Sequence, residues 1–434
     1  MPSNLADWLT HLESLHPKAI ALGLERVDEV RKRLYLAPSF PVIVVGGTNG
    51  KGSVCAMLES ILHAAGYRVG CYTSPHLQAY NERVRIAKQM VSDEALCASF
   101  EKIELARKCV IPANAETRRE EISLTYFEFG TLAAMQLFIE QKIDVAILEV
   151  GLGGRLDAVN VFDGDCSIVT SVDIDHTDYL GDTIEKIGFE KAGIFRRDHV
   201  AIFSGEDAPR SLVEHAEMIG AKLWRIGREF GYTAHQGQWD FQGFAGKRSA
   251  LPYPALRGAF QLNNASAVLA AIDAIRERLP VSMEAVRRGL SEVELAGRFQ
   301  FVPGKPQLIL DVAHNPHAAR ALAQNLANLP SCPHTYAVFA MLKDKDAMGV
   351  IEALDAHVDT WLVAGIAALR GASSDELASL LERAGVRGKF ICFADVQKAL
   401  MHACNVAGEN DRILAFGSFY TVAEAMRTKG VCAT

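Results

Sequence analysis

The sequence predicts a two-domain α/β protein. The first domain is a mostly parallel sheet around a glycine-rich loop of the phosphate-binding type, with a small antiparallel appendage. The second is a compact Rossmann-like α/β unit. Three observations carry this prediction. The run VIVVGGTNGKGSVCAMLES (42–60) reads as a buried strand, a glycine turn and a helix in immediate succession. Apolar strands then alternate with helical periodicities, the pattern of parallel strands covered by helices on both faces. At residue 307 the same rhythm restarts, after a boundary expected near Glu294–Arg298. A chain of 434 residues also exceeds one small core, so domains are expected over 1–297 and 298–434.

The elements follow in order. Residues 1–40 carry one or two amphipathic helices, with Leu5, Trp8, Leu9, Leu12 and Leu15 on one face, interrupted at Leu22–Arg26. Val42–Val45 form the first strand, and a helix is expected to start near Ser53 and end at Gly66. A strand over 67–72 runs into Ser74-Pro75-His76, and the alternation in 81–86 predicts a half-exposed strand. Ser92 caps a helix reaching about Lys108, and Thr125-x-x-Glu128 is a capping box that opens another. Asp144–Val150 is a buried strand that carries Glu149 near its end. Ser167–Ile174 is a strand expected to deliver Asp175 and His176. Asp182-x-x-Glu185 reads as the cap of a helix with Ile184, Ile187, Gly188 and Lys191 on one stripe. Trp224, Trp239 and Phe241 mark the antiparallel appendage within 220–258, and helices return at 263–279 and 282–290. The second domain reads as strands at 307–312, 335–341, 360–364, 389–393 and 412–416, each followed by a helix. It lacks G-x-G-x-x-G after its first strand, so dinucleotide binding is not implied.

Composition narrows the function. With 49% hydrophobic and 22% charged residues and a net charge of −7, the chain is an ordinary globular protein without a nucleic-acid groove as its main business. Nine cysteines without C-x-x-C spacing read as reduced thiols of a cytoplasmic protein. Asp7 and Glu13 stand where a signal peptide would need an apolar run, and no stretch is apolar enough to span a membrane. A soluble monomer is expected.

Ligands of open parallel sheets sit at the carboxyl ends of the strands. In the first domain those ends present Lys51, Ser74, Glu149 and His176, residue types that suit magnesium and a nucleotide. The glycine loop, with Asn49 inside it, points backbone N–H groups and a helix N-terminus at one spot. It departs from G-x-x-x-x-G-K-[ST], because Gly52 follows the lysine and the hydroxyl comes at Ser53. Glu149 is the most telling, since a carboxylate ending a buried strand is costly unless paired or metal-bound. His176 is equally readable as a turn histidine and Ser74 as a turn serine. Lys191 is either a buried amine or a snorkelling or salt-bridged lysine. In the second domain His314 and Ser418 follow strand ends and open helices, as ordinary caps also do.

These segments resemble one family. GTNGKGS (47–53), SPHL (74–77), LTYFEFGTLAA (124–134), ILEVGLGGRLDAVN (147–160), DIDHTDYLG (173–181), EKAGIF (190–195), GRFQ (297–300), LDVAHNPHA (310–318), MLKDKD (341–346) and GSFYTVAEAM (417–426) run in order through nearly the whole chain. They are similar to the folylpolyglutamate synthase/dihydrofolate synthase group of Mur-ligase-like ATP-dependent amide ligases. LGLERV and LTYFE look like the bifunctional type.

The resemblance implies a Mur-ligase-like first domain that binds ATP and pterin, and a glutamate-ligase second domain. Thr48, Asn49, Gly50, Lys51, Gly52 and Ser53 would hold ATP phosphates, with Asn264, Arg298 and Asp311 completing the ATP site. Ser74, Glu149 and His176 would hold Mg²⁺, and Lys191 would be carbamylated. Ala19, Ile20, Ala21, Leu22, Thr125, Tyr126, Phe127, Glu128, Leu156, Asp157 and Ala158 would line the pterin site. His314 and Ser418 would help bind L-glutamate. The reaction implied is phosphorylation of a carboxylate by ATP, then attack of the glutamate amine on the acyl phosphate. Closure of the second domain would keep water out. Dihydropteroate and reduced folates would be the acceptors. The alternatives are a monofunctional folylpolyglutamate synthase, a different P-loop kinase or cell-wall ligase, and a non-catalytic nucleotide switch.

Overall fold

Two compact units emerge from the computed structural model, one comprising residues 1–253 and 263–293, the other 254–262 and 294–434. The structure describes residues 2–432 except 19, 109, 114, 115 and 120.

The first unit opens with two helices, α1 (Leu5–Ser14) and α2 (Glu25–Arg33), which bury Leu5, Trp8, Leu12, Val27 and Val30. Then come β1 (Val42–Gly46), α3 (Lys51–Ala64), β2 (Val69–Tyr72), β3 (Val84–Ile86), β4 (Gln89–Met90) and α4 (Asp93–Arg107). A short hairpin, β5 (Val110–Ala113) and β6 (Glu116–Arg119), precedes α5 (Tyr126–Glu140) and β7 (Val145–Glu149). The chain continues through β8 (Cys166–Val169), α6 (Thr177–Leu180), α7 (Ile184–Ala192), β9 (Val200–Phe203), α8 (Arg210–Ile219) and β10 (Lys222–Arg225). β11 (Gly231–Ala234), β12 (Trp239–Gly243) and β13 (Gly246–Leu251) form the antiparallel appendage, followed by α9 (Gln261–Ile275) and α10 (Met283–Ser291).

The main sheet has the order β10-β9-β8-β1-β7-β2-β3-β4, parallel from β10 through β2 and antiparallel at the β3 and β4 edge. β1 therefore lies centrally, its register placing Val45 opposite both Glu149 and Ile168. All five β1 residues are buried, as a strand covered on both faces requires.

Five expectations are corrected. α3 begins at Lys51 rather than Ser53, because Gly50 adopts φ +92° and lets the turn close into a helix two residues earlier. Residues 80–83 form a 3₁₀ turn, and only 84–86 are strand. The Glu82 carboxylate accepts the N–H groups of Leu77, Gln78 and Ala79 at 2.6–2.7 Å, which holds the chain in a turn despite its alternating pattern. β8 ends at Val169, since Thr170 and Ser171 turn their hydrogen bonds to the glycine loop. The cap of α7 is Thr183, whose hydroxyl accepts Lys186 N–H, while Glu185 accepts the N–H groups of Arg210 and Ser211. Trp224 belongs to β10 of the main sheet rather than to the appendage.

The second unit contains β14 (Gln300–Val302), β15 (Gln307–Asp311), α11 (Pro316–Ala327), β16 (Thr335–Phe339), α12 (Ala347–Leu354), β17 (Thr360–Ala364), α13 (Ser374–Ala384), β18 (Lys389–Phe393), α14 (Val396–Val406), β19 (Arg412–Phe416) and α15 (Phe419–Lys429). Its sheet runs β14-β15-β19-β16-β17-β18, parallel except for β14. Its core includes Ile309, Phe339, Trp361 and Phe416. Among the described residues no helix is long and apolar enough to cross a membrane.

Candidate functional site

The glycine loop is held from beneath by residues just beyond β8. Thr48 N–H donates to Ser171 O (2.8 Å) and its hydroxyl to Asp173 O (3.2 Å), while Asn49 N–H donates to Ser171 Oγ (3.1 Å). Thr170 Oγ1 donates to Asn49 O (2.6 Å). Gly47 has φ +135°, and a Cβ there would lie 1.9 Å from Thr170 Oγ1, so only glycine permits this approach. Lys51 Nζ donates to Gly47 O (3.0 Å) and Thr48 O (3.1 Å), curling over the loop. Gly50 supplies no side-chain cap to α3, an arrangement suited to phosphate oxygens at the first-turn N–H groups. Ser53 is buried in the first turn of α3, and Asn264 approaches Gly50 so closely that a Cβ there would meet its Oδ1 at 2.7 Å.

At the neighbouring strand ends, Glu149 is 5% exposed and its Oε2 accepts the Ser74 N–H at 3.0 Å. His176 adopts the left-handed conformation (φ +53°) before α6, and its N–H donates to Asp175 Oδ1 at 2.8 Å. Lys191 is 4% exposed on α7. Burial, with the positive charge of Lys51, lowers its amine to about 7, while Asp175 and Asp157 oppose the shift. Burial likewise raises the Asp157 carboxyl to about 7, against N–H donors that include Leu152 (2.8 Å) and Val159 (3.1 Å) and the charge of Lys51. Lys51, Asp157, Asp175 and Lys191 thus share one electrostatic field.

Among the described residues no three His, Cys, Asp or Glu side chains gather into a metal cage. Magnesium does not require one: it takes one or two carboxylates together with waters and substrate phosphates. A buried carboxylate, a hydroxyl-bearing loop tied to it, and an uncapped helix N-terminus fit Mg²⁺ with a nucleotide.

The expected pterin segments also meet. Arg26 Nη2 donates to Ala21 O and to Glu128 Oε1, both at 2.9 Å. Ala21 is thus engaged through its carbonyl, not its side chain. Gly23 N–H donates to Leu156 O (3.3 Å), joining this segment to the 156–158 loop, where Asp157 caps a 3₁₀ turn starting at Ala158. Glu128 Oε2 accepts Thr125 N–H (2.7 Å) in the predicted capping box. Phe127 stacks on Tyr72 with centroids 5.7 Å apart, and its ring fills the space a side chain at Gly151 would need. Ile20 and Leu22 are half-buried beside these residues, and Ala19 lies outside the described residues. Sequence reasoning assigned no role to Arg26 or to Thr170 and Ser171. Arg26 stood within a quoted motif, but nothing local pointed to its partner, 102 positions away.

In the second unit, Asp311 ends β15 and accepts Phe299 N–H and Ala313 N–H, both at 2.8 Å. Burial raises its carboxyl, opposed by these bonds and by Arg298. Arg298 lies over the Phe419 ring at 5.0 Å, and the His314 ring is 6.2 Å from the same phenyl. β15 and β19 are adjacent, so His314 and Ser418 leave neighbouring strands. Ser418 Oγ accepts Thr421 N–H (3.0 Å) as the cap of α15.

Comparison with known proteins matches this geometry. Residues 45–272 match the Mur ligase middle domain, and 297–419 match the Mur ligase glutamate ligase domain. The dihydrofolate synthase/folylpolyglutamate synthase of Escherichia coli is 46% identical over 425 residues, covering 98% of this chain and 95% of that protein. Its counterpart from Haemophilus influenzae is 42% identical, covering 97% of each. The structure of E. coli FolC with DHPP and ADP superposes with a TM-score of 0.90 at 45% identity, covering 99% of this chain and 98% of that one. A bifunctional folylpolyglutamate synthase/dihydrofolate synthase with Mn, AMPPNP and L-glutamate bound gives 0.89 at 44% identity, with 99% and 98% covered. From its phosphate-type loop to its glutamate ligase domain, the chain belongs to the dihydrofolate synthase/folylpolyglutamate synthase family of Mur ligases.

Proposed function

We propose that this protein is a bifunctional ATP-dependent ligase. It joins L-glutamate to dihydropteroate, forming dihydrofolate, and to the γ-carboxylate of reduced folates. The observation that carries this reading is the shared field of Lys51, Lys191, Asp175 and Asp157. Lys51 from the phosphate-type loop and Asp157 from the expected pterin segment both act on the buried Lys191 amine, which supports phosphoryl transfer to a pterin-linked carboxylate.

In this reading residues 1–297 bind ATP and pterin, and residues 298–434 supply the glutamate-ligase part. Thr48 to Ser53 and Asn264 hold phosphates, while Arg298 and Asp311 serve the same nucleotide. Lys51 stabilises charge on the transferred phosphoryl group. Ser74, Glu149 and His176 bind Mg²⁺, which when bound neutralises charge on the phosphate oxygens. Ile20 to Leu22, Thr125 to Glu128 and Leu156 to Ala158 line the pterin pocket, with Phe127 as a flat apolar wall. His314 and Ser418 receive L-glutamate beside the N-terminus of α11.

Lys191 is carbamylated. A buried amine lowered to about 7 is largely neutral near pH 8 and so able to react with CO₂. Adding CO₂ to the neutral amine, with release of a proton, gives an anion bearing oxygen donors. Density for a bare amine in crystals grown with bicarbonate and Mg·ATP would rule this out.

The cytoplasm is the proposed location, where the free thiols stay reduced. The decisive assay is ADP release with dihydropteroate or tetrahydrofolate, each with and without L-glutamate. Glutamate-dependent turnover of both acceptors is expected. Turnover of tetrahydrofolate alone identifies a monofunctional enzyme, and turnover of neither overturns the reading.

A further inference from the structure

Arg83 has no part in the site as described so far. Its Nε donates to His76 Nδ1 at 2.8 Å, and its guanidinium carbon lies 5.4 Å from the ring centroids of both Tyr80 and Tyr126. Those two rings meet edge to face at 5.7 Å and 81°. An imidazole and two phenol rings thus hold the guanidinium in one place. Neighbouring arginines of this unit each meet a buried carboxylate: Arg26 with Glu128 (2.9 Å), Arg85 with Glu59 (2.7 Å) and Arg107 with Glu104 (2.6 Å). Arg83 meets none, and among the described residues neither of its Nη atoms has an acceptor.

A half-buried guanidinium with no counter-charge is costly, and its planar pair of Nη groups matches a carboxylate in shape and charge. The placement selects which carboxylate. His76 stands two residues past Ser74 on the loop leaving β2, and Tyr126 lies in the first turn of α5 beside Phe127. Arg83 therefore bridges the segment assigned to the metal and the segment assigned to the pterin.

We propose that Arg83 binds the acceptor carboxylate of the substrate, the group that is to be phosphorylated, through its two Nη groups. This rests on the ligase reading above and deepens it by naming the residue that recognises the reacting end of the acceptor. Bound there, the carboxylate is partly neutralised, which weakens its repulsion from the nucleotide phosphates.

The test measures dissociation constants of dihydropteroate and of its carboxamide analogue, by calorimetry with saturating Mg·AMPPNP. Wild type, Arg83→Ala and Arg83→Lys are compared, and each is also assayed for KM and kcat. Wild type is expected to prefer the carboxylate by about 10- to 100-fold, the range for hydrogen bonds to a charged group. Arg83→Ala should cut that preference to within about 3-fold while binding the carboxamide as wild type does. Arg83→Lys should retain part of the preference, because it keeps the charge without the fork. Undiminished preference in Arg83→Ala overturns the proposal. So does equal weakening of both ligands, which marks a purely structural arginine. If wild type turns over neither acceptor, the ligase reading itself has failed, a result distinct from turnover with unchanged preference in the variant.

Discussion

The Ser74 backbone N–H donates to Glu149 Oε2 across 3.0 Å, tying the loop after β2 to the end of β7. Glutamine at 149 keeps a carbonyl acceptor for this bond, removes the charge and turns the other oxygen into an N–H donor. Glu149→Gln is therefore expected to keep its melting temperature within about 2 °C and lose at least about 100-fold in kcat. Thermal melts and ADP release measured on one preparation check this. Retained turnover would show that the carboxylate charge is structural.

Among the described residues the Lys51 ammonium donates only to carbonyls of its own loop, and its charge favours the Asp157 carboxylate while opposing a charged Lys191. Lys51→Ala should fold normally and lose turnover by about 100-fold or more, because the missing charge acts on the phosphoryl group. Near-wild-type ADP release from a folded variant would count against the assignment.

The Lys191 amine, about 7 in the folded chain, returns to its ordinary value of 10.5 on unfolding. Between these values the unfolded chain binds a proton that the folded chain has released. Stability therefore rises with pH across that window and is flat below it. In CO₂-free buffer the advantage of wild type over Lys191→Met should grow between pH 7 and 9, by at most about 1.4 kcal/mol per unit. Urea unfolding at several pH values tests this, and a pH-independent difference would contradict it.

Glu104 is 1% exposed and accepts Arg107 Nε and Nη2 at 2.6 and 2.7 Å, with Lys108 at 2.6 Å and His11 at 3.3 Å. Burial alone would raise its carboxyl, but Arg107 and Lys108 hold it down at about 2. Glu104→Gln should cost about 3–5 kcal/mol, because it removes the buried counter-charge and leaves Arg107 only the exposed Glu121 carboxylate at 2.7 Å. The folded carboxyl lies below its unfolded value of 4.5, so wild type holds this advantage above pH 4.5 and loses it toward pH 2. Denaturant midpoints at pH 7 and pH 3 should show the gap narrowing.

The sequence by itself determined what neighbouring residues decide. Thr125 and Glu128 close their capping box, Ser92 caps α4 and Asn315 caps α11, because each bond spans three residues. Strand β1 and the glycine loop follow from local pattern in the same way, and of the expected α7 stripe Ile187, Gly188 and Lys191 are buried while Ile184, at the first turn, is 37% exposed. Tertiary structure decided the rest. Arg26 meets Glu128, and Ser74 meets Glu149, only because the chain folds α2 onto α5 and places β7 between β1 and β2. Lys191 spacing is compatible with a snorkelling lysine until packing removes water from its amine and sets Lys51 within its field. Strand order and burial come from the summed packing of distant segments, and no short window of sequence contains that sum.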